Sequence, residues 1–130
     1  MNSMEELNQV KQLVFVYGTL RKGEENHPLL ADSKFLGKAV SARKYTMVDL
    51  GDYPAVIQQG ESTISGEVYV ISIETLAKLD ILEEYPDYFQ RIIVSTPYGD
   101  AWMYVLGNIP ESSISLIEGG DWVARAKHLN

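Results

Sequence analysis

Apolar residues occur along the chain in short blocks separated by turn-forming residues. Leu13 to Tyr17 is a continuous run of five apolar residues that ends at Gly18, a pattern typical of a strand buried on both faces. We therefore expect this strand near the centre of a sheet. The stretches "KFLGKAV" and "KYTMVDLGDYPAVIQQG" contain β-formers interrupted by Gly, Asp and Pro. They predict further short strands joined by turns.

The second half of the chain predicts one more strand, one helix and one hairpin. "TISGEVYVIS" alternates Val68 and Val70 with Glu67, Tyr69 and Ile71, which indicates a strand. The next stretch, "IETLAKLDILEEY", is rich in helix formers, follows a serine suited to an N-cap and precedes a proline that ends helices. "QRIIVSTPYGDAWMYVLG" predicts a hairpin. This order favours an α+β fold with a mixed sheet over a regular βαβ series.

Composition and charge narrow the class of protein. A chain of 130 residues with 45% hydrophobic residues matches one domain over residues 1–130, with residues 1–12 and 123–130 expected at its periphery. Eighteen acidic against eleven basic residues give a net charge of -7, which repels nucleic-acid phosphates and anionic membranes. We expect neither as a partner.

Several chemistries lack the residues that they need. There is no cysteine, which excludes disulfides and thiolate catalysis. His27 and His128 show no spacing typical of metal ligands, so we expect no metal and no cofactor. The polar N-terminus resembles no signal peptide, and no apolar run reaches the roughly 18 residues of a membrane span. We expect a cytoplasmic protein, either a monomer or a homodimer.

One carboxylate in the predicted helix stands out. Glu83 lies four residues after Leu79 and seven after Leu76, spacings that normally share a buried face. One interpretation is that Glu83 lies in the last turn and reaches solvent or a cation such as Arg91. The other is that Glu83 faces a cleft as a general base with a raised pKa. The neighbouring Asp80 and Glu84 lie nearer the edge of the apolar stripe, where we expect solvated roles.

The turn after the first strand is a second candidate. Gly18 and Thr19 follow the apolar run, and Gly18 allows a turn that exposes successive backbone N–H groups. Such groups bind carboxylates or oxyanions, although an ordinary loop has the same sequence. Arg21 and Lys22 either attract an acidic ligand or form a solvated face. Three tyrosines either line a pocket or pack in the core; these are Tyr53, Tyr88 and Tyr104.

Several fragments together resemble the gamma-glutamylcyclotransferase-like family. They are "VYGTLRKGEENHPLL", "GDYPAV", "GEVYVISIETLAKLDILEEYPDYFQR", "AWMYVL" and "GGDW", in this order from Leu13 to Trp122. The resemblance implies an α+β fold around a small, mixed, partly closed β-barrel with a few short helices. It also implies that Glu83 is catalytic and that the substrate is bound by Tyr17, Gly18, Thr19 and Leu20. Many members have glycine where this chain has Glu84, which leaves open whether Glu84 shares the role of Glu83.

The resemblance also implies a reaction. Gamma-glutamyl amides are cyclised to 5-oxoproline with release of an amine, and Tyr88, Arg91 and Tyr104 match positions near the family's pocket. Tyr53 is a further candidate for substrate binding. Two alternatives are a non-catalytic module that binds a small molecule in the same cleft and a protein-interaction domain with an acidic surface. The identity of the leaving amine cannot be inferred from the sequence.

Overall fold

The structure is a computed structural model that describes residues 11–107 and 115–125. Within these residues the chain forms eight strands, one 3-10 turn and one α-helix. The strands are β1 (Lys11–Val16), β2 (Lys34–Val40), β3 (Tyr45–Asp49), β4 (Pro54–Ser62), β5 (Ser65–Ser72), β6 (Phe89–Thr96), β7 (Gly99–Leu106) and β8 (Ser115–Leu116). The 3-10 turn is His27–Leu30, and the helix, α1, is Ile73–Leu82.

The strands form two sheets, ordered β2-β5-β1-β7-β6 and β4-β3-β8. In the larger sheet β1 pairs antiparallel with β5 and parallel with β7, so the sheet is mixed. Neither sheet closes on itself. The α+β class with a partly closed barrel is confirmed.

The apolar run in β1 lies at the centre of the larger sheet, as the sequence predicts. Val14 and Val16 pack into one hydrophobic cluster, while Phe15 and Tyr17 pack into the other. Because side chains alternate along a strand, a strand with a core on each side needs apolar residues at every position. This double burial explains why the run lacks polar interruptions.

Helix α1 begins where the sequence indicates. Ser72 is its N-cap, and its hydroxyl accepts a hydrogen bond from Thr75 N at 3.1 Å, which satisfies one of the unpaired donors of the first turn. Leu76 and Leu79 are buried on the predicted face. Ile73, three residues before Leu76, and Leu82, three residues after Leu79, are exposed.

The helix ends at Leu82, before the predicted stop at Pro86. Glu84 has a positive φ of 53°. Its N–H donates to Ile81 O at 3.2 Å, and Tyr85 N donates to Asp80 O at 2.9 Å. This is the Schellman pattern of helix termination, in which the left-handed position is usually glycine. Glu84 is therefore a strained residue at the end of the helix.

Parts of the segments expected at the periphery belong to the folded structure. Lys11 and Gln12 begin β1, and Val123 packs against a hydrophobic cluster next to the buried Trp122. Residues 1–10 and 126–130, which include His128, lie outside the described residues. No helix within 11–107 and 115–125 is long and apolar enough to span a membrane.

Candidate active site

A cavity of about 190 Å³ lies where the end of β1, the start of β4 and the end of α1 meet. It is smaller than the roughly 300–1,000 Å³ of pockets for drug-sized ligands, so it suits a small molecule. Its walls are Phe15, Val16, Tyr17, Gly18, Thr19, Leu20, Glu25, Asn26, Asp52, Tyr53, Pro54, Leu82, Glu83, Glu84, Tyr88, Phe89 and Tyr104. The cavity thus brings together the candidate turn and the candidate carboxylate.

The turn after β1 forms part of the cavity wall with Gly18, Thr19 and Leu20. Arg21 N donates to Gly18 O at 3.0 Å, which closes a tight turn. Within residues 11–107 and 115–125, the N–H groups of Gly18, Thr19 and Leu20 make no hydrogen bond. Adjacent free N–H groups form a concavity that favours a carboxylate or an oxyanion.

Gly18 is required by packing and not by a left-handed backbone. It is absent from the described residues with positive φ. A Cβ atom at this position would lie 2.8 Å from Pro54 Cγ and 2.9 Å from Pro54 Cδ. The sequence predicts that glycine is needed here for its freedom to turn. The structure shows instead that glycine is needed because Pro54 of β4 approaches too closely for a side chain.

The side chain of Tyr17 is committed to the core. Its hydroxyl donates to Tyr104 O at 2.8 Å and accepts from Val56 N at 3.3 Å. Only 7% of the residue is exposed. Tyr17 therefore anchors the end of β1 to β7 and β4. It also lines the cavity, but its hydroxyl group is already engaged in these two hydrogen bonds.

Glu83, the C-cap of α1, lines the same cavity as the turn. Its N–H donates to Leu79 O at 2.9 Å, and its carbonyl accepts from Phe89 N at 3.2 Å, so its backbone is fixed at both ends. Its half-buried side chain makes no hydrogen bond or ion pair with another described residue. Burial raises the pKa of Glu83 to about 7, which suits a group that exchanges protons near neutral pH.

Arg91 interacts with Asp80 and not with Glu83. Its Nε donates to Asp80 Oδ1 at 2.9 Å and its terminal nitrogen donates to Asp80 Oδ2 at 3.2 Å, the bidentate geometry that Arg favours. The guanidinium also packs against the rings of Tyr85 and Trp102 at 4.4 and 4.3 Å. Arg91 does not line the cavity.

Asp80 differs from the solvated residue expected from the sequence. It is half-buried, and its Oδ1 also accepts the hydroxyl of Tyr104 at 2.7 Å. Tyr104 lines the cavity with its ring. Asp80 therefore connects α1 to both strands of the hairpin, one turn before Glu83.

Two tyrosines of the cavity wall, Tyr53 and Tyr88, are partly exposed and joined through their hydroxyl groups; their side of the cavity is called the mouth below. The hydroxyls of Tyr53 and Tyr88 lie 3.1 Å apart, and Tyr88 packs edge-on against Phe89. The hydrogen bond to Tyr88, followed by burial and nearby negative charges, raises the pKa of Tyr53 to about 12. The Tyr53 phenol therefore stays neutral near pH 7, and the pair can donate or accept hydrogen bonds at the mouth.

The charge of the described cavity wall is entirely acidic. Glu25, Asp52, Glu83 and Glu84 contribute to it, and no Lys or Arg does. Among the described wall residues, only the backbone N–H groups of the turn are then suited to bind an anionic group of a ligand. An ammonium group would be attracted to the carboxylates. No group of three or more potential metal ligands occurs within 11–107 and 115–125.

Arg21 neither attracts a ligand into the cavity nor belongs to a solvated face, the two roles considered from the sequence. Arg21 is buried with 6% exposed, paired with Glu67 and Asp121, and it neither faces solvent nor lines the cavity. Lys22 is exposed and lies over the ring of Phe35. Sequence reasoning missed Glu67. Like Glu83, it is a carboxylate among apolar positions, and that signal could have identified it.

Comparison with known proteins places this chain in one family. Residues 14–124 match the sequence profile described as "Gamma-glutamyl cyclotransferase, AIG2-like". A Vibrio cholerae serotype O1 protein with a provisional gamma-glutamylcyclotransferase name is 44% identical over 116 residues, which cover 89% of this chain and 99% of that protein. The gamma-glutamylcyclotransferase family protein YtfP of Escherichia coli K12 is 41% identical over 114 residues, covering 88% and 98%. The chain belongs to the gamma-glutamyl cyclotransferase, AIG2-like family.

Solved structures agree with this assignment. The solution structure of Escherichia coli YtfP has a TM-score of 0.72 and 39% identity, covering 88% of this chain and 99% of that one. The crystal structure of PH0828 from Pyrococcus horikoshii, an uncharacterised protein, has a TM-score of 0.77 and 29% identity, covering 91% and 96%. The family resemblance of the sequence is confirmed, and it supports an enzyme of the gamma-glutamylcyclotransferase kind.

Proposed function

We propose that the protein releases an amine from a gamma-glutamyl amide by forming 5-oxoproline. The α-amine of the substrate attacks its own γ-carbonyl carbon, so a C–N bond forms and a five-membered ring closes. The amide C–N bond then breaks and the amine leaves. Because nucleophile and electrophile belong to one molecule, correct orientation supplies effective molarities of roughly 10⁵ M or more.

The proton balance requires one group that both accepts and donates. The substrate ammonium gives up two protons while its nitrogen becomes the ring N–H. The departing nitrogen takes up two protons and leaves as an ammonium. Glu83 transfers them, accepting before attack and donating as the amide bond breaks, and it returns to its starting state. A pKa of about 7 suits both directions of transfer. The balance needs no metal or cofactor.

The turn after β1 supplies the opposite half of the site. The N–H groups of Gly18, Thr19 and Leu20 hold the substrate's α-carboxylate or the oxyanion of the tetrahedral intermediate. Donors of this kind stabilise an oxyanion because they are oriented before the reaction begins. The all-acidic wall supports this assignment, since it offers no cationic side chain for the task.

Aromatic side chains shape the rest of the site. Tyr53 and Tyr88 contact the bound substrate at the mouth, and the ring of Tyr104 forms a wall. Arg91 contributes indirectly, because its ion pair with Asp80 fixes the end of α1. Glu84 borders the cavity, but its left-handed backbone makes it a helix-terminating residue first.

One observation carries the proposal: one small cavity is lined both by three turn residues whose N–H groups make no hydrogen bond within the described part of the chain and by a carboxyl group of raised pKa that is unpaired there. The test is a panel of gamma-glutamyl amides assayed for 5-oxoproline. We expect at least one amide to be cyclised. Its N-acetylated counterpart, which lacks the nucleophilic amine, should yield no product.

The products distinguish the alternatives. Release of free glutamate instead of 5-oxoproline would indicate hydrolysis, in which water replaces the α-amine. Calorimetric binding of gamma-glutamyl ligands without any product would favour the non-catalytic binding module. Either result contradicts the cyclisation proposal.

A further inference from the structure

Next to the candidate turn, Arg21, Glu67 and Asp121 form an ionic cluster, and none of the three residues lines the cavity. Glu67, on β5, is 4% exposed, and Arg21 is 6% exposed. Asp121, near the end of the described chain, completes the cluster. Burying charges costs several kcal/mol per ion unless they are paired, so a cluster in so small a domain calls for an explanation.

Glu67 has its hydrogen-bonding capacity directed at the turn. Its Oε1 accepts Lys22 N at 2.9 Å and the hydroxyl of Tyr69 at 2.9 Å. Its Oε2 accepts Arg21 Nε at 3.3 Å. Two of these three donors belong to the residues that directly follow Leu20. The Glu67 carboxylate, on β5 of the larger sheet, thus fixes one end of the turn.

The remaining connections hold the same segment from its other sides. Arg21 donates from its terminal nitrogen to Asp121 at 2.8 Å. Asn26 N donates to Thr19 O at 2.8 Å, and its side-chain amide donates to the Thr19 hydroxyl at 2.8 Å. The carbonyl oxygen of Gly18 accepts Arg21 N and that of Thr19 accepts Asn26 N, while the N–H groups of Gly18, Thr19 and Leu20 make no hydrogen bond within the described residues.

The cluster adds no positive charge to the site. One guanidinium faces two carboxylates, Glu67 and Asp121, so it does not attract the substrate's carboxylate. Its effect on a ligand must therefore be geometric. Donors that are fixed before binding lose less entropy when the ligand arrives.

We propose that Glu67 is a positioning residue, which holds the backbone N–H groups of Gly18 to Leu20 in a substrate-binding orientation through Lys22 N and Arg21. The inference rests on the proposed function for the identity of the substrate. It does not rest on it for the rigidity of the turn.

Two variants of Glu67 separate its contacts. Glu67→Ala removes all three. Glu67→Gln keeps a carbonyl oxygen for Lys22 N and Tyr69, but it loses the ion pair and presents an amide N–H₂ to Arg21 Nε. If the turn holds the substrate's α-carboxylate, we expect KM to rise about tenfold in Glu67→Ala with little change in kcat, as for lost uniform binding; if it holds the oxyanion, the same loss falls on kcat. In either case the effect should be smaller in Glu67→Gln. Val94→Ala, a buried change in β6 away from the cavity, is the control for stability loss.

The second readout is independent of activity. Amide ¹⁵N relaxation should show order parameters for Gly18, Thr19 and Leu20 falling from about 0.85 towards 0.6 in Glu67→Ala, with a smaller fall in Glu67→Gln and none in Val94→Ala. Unchanged order parameters in the Glu67 variants, or an equal fall in Val94→Ala, would overturn the inference. If Glu67→Ala does not fold, the same comparison is made with Glu67→Gln. If the parent protein makes no 5-oxoproline, only the proposed function is contradicted. The relaxation data still test whether Glu67 positions the turn.

Discussion

The hydroxyl of Tyr104 donates to Asp80 Oδ1 at 2.7 Å, joining strand β7 to helix α1 one turn before Glu83. The same carboxylate receives Arg91 in bidentate geometry. The end of α1 is therefore held against the hairpin by these polar contacts in addition to the buried side chain of Leu79, which belongs to the same hydrophobic cluster as Phe89 and Tyr104.

Removing this hydroxyl tests whether the contact stabilises the helix end. Tyr104→Phe keeps the ring that lines the cavity and should lower the free energy of unfolding by about 1.5–3 kcal/mol, as for a hydrogen bond to a charged acceptor. The measurement is urea denaturation of Tyr104→Phe, Asp80→Asn and the double variant. A coupling energy near zero would show that the two groups do not support each other.

The pKa of Glu83 predicts a pH-dependent activity. Glu83 becomes ionised, and so able to accept a proton, as pH rises through about 7. We therefore expect kcat/KM for cyclisation, which reports the pKa values of the free enzyme, to rise between roughly pH 6 and 8. An ordinary carboxyl group would give a level profile across this range. A profile of kcat/KM that is flat from pH 5 to 8 would contradict the assignment of Glu83 as the base.

The same group makes a separate prediction for stability. The folded-state pKa is raised by burial, so the folded protein binds more protons than the unfolded one between the ordinary value of 4.5 and about 7. Stability is therefore lost as pH rises through this window. Glu83→Gln removes the loss, and its gain in unfolding free energy should be larger at pH 8 than at pH 4 by up to roughly 3 kcal/mol. Equal gains at the two pH values in urea denaturation would argue against a raised pKa.

The strained helix end should respond to glycine. Glu84→Gly places the preferred residue at the left-handed position of the Schellman pattern, which should stabilise the fold by about 1 kcal/mol. Glu84→Ala is the matched control, because it removes the same charge and keeps the strain. If both variants raise the melting temperature equally, charge and not backbone strain is the cause.

The contact between Gly18 and Pro54 predicts a compensating pair. Gly18→Ala puts a methyl group 2.8 Å from Pro54 Cγ, and we expect a cost of about 1–3 kcal/mol from overpacking together with a higher KM. In Gly18→Ala with Pro54→Ala the clashing ring atoms are absent. Stability and KM should then recover in part; no recovery in the double variant would mean that the turn needs glycine for another reason.

Much of the fold can be predicted from local patterns in the sequence. The double-sided burial of β1, the cap at Ser72 and the hairpin after Phe89 are each encoded within a few residues. Glu83 can be identified as a candidate because burying a carboxylate on the apolar stripe of a helix is energetically costly. The sequence therefore reveals that an unusual residue is present, but it does not reveal which groups that residue faces.

The remainder depends on contacts between distant segments. Asp80 is an ordinary acidic residue until β6 and β7 bring Arg91 and Tyr104 to it. Arg21 is an ordinary basic residue until Glu67 and Asp121, 46 and 100 residues away, surround it. Such partners are selected by topology, and no short-range pattern records them.

The most direct test of the central claim is the rate of 5-oxoproline formation by Glu83→Gln with an amide that the parent cyclises. Glu83→Gln keeps the shape of the side chain and removes the proton acceptor. Glu74→Gln, an exposed residue in the first turn of α1, is the matched control, and Glu84→Gln tests the neighbouring carboxylate. We predict that folded Glu83→Gln loses about 10²-fold or more in kcat while Glu74→Gln keeps the parent rate. A folded Glu83→Gln that cyclises the amide at the parent rate, or a loss confined to Glu84→Gln, would contradict the account.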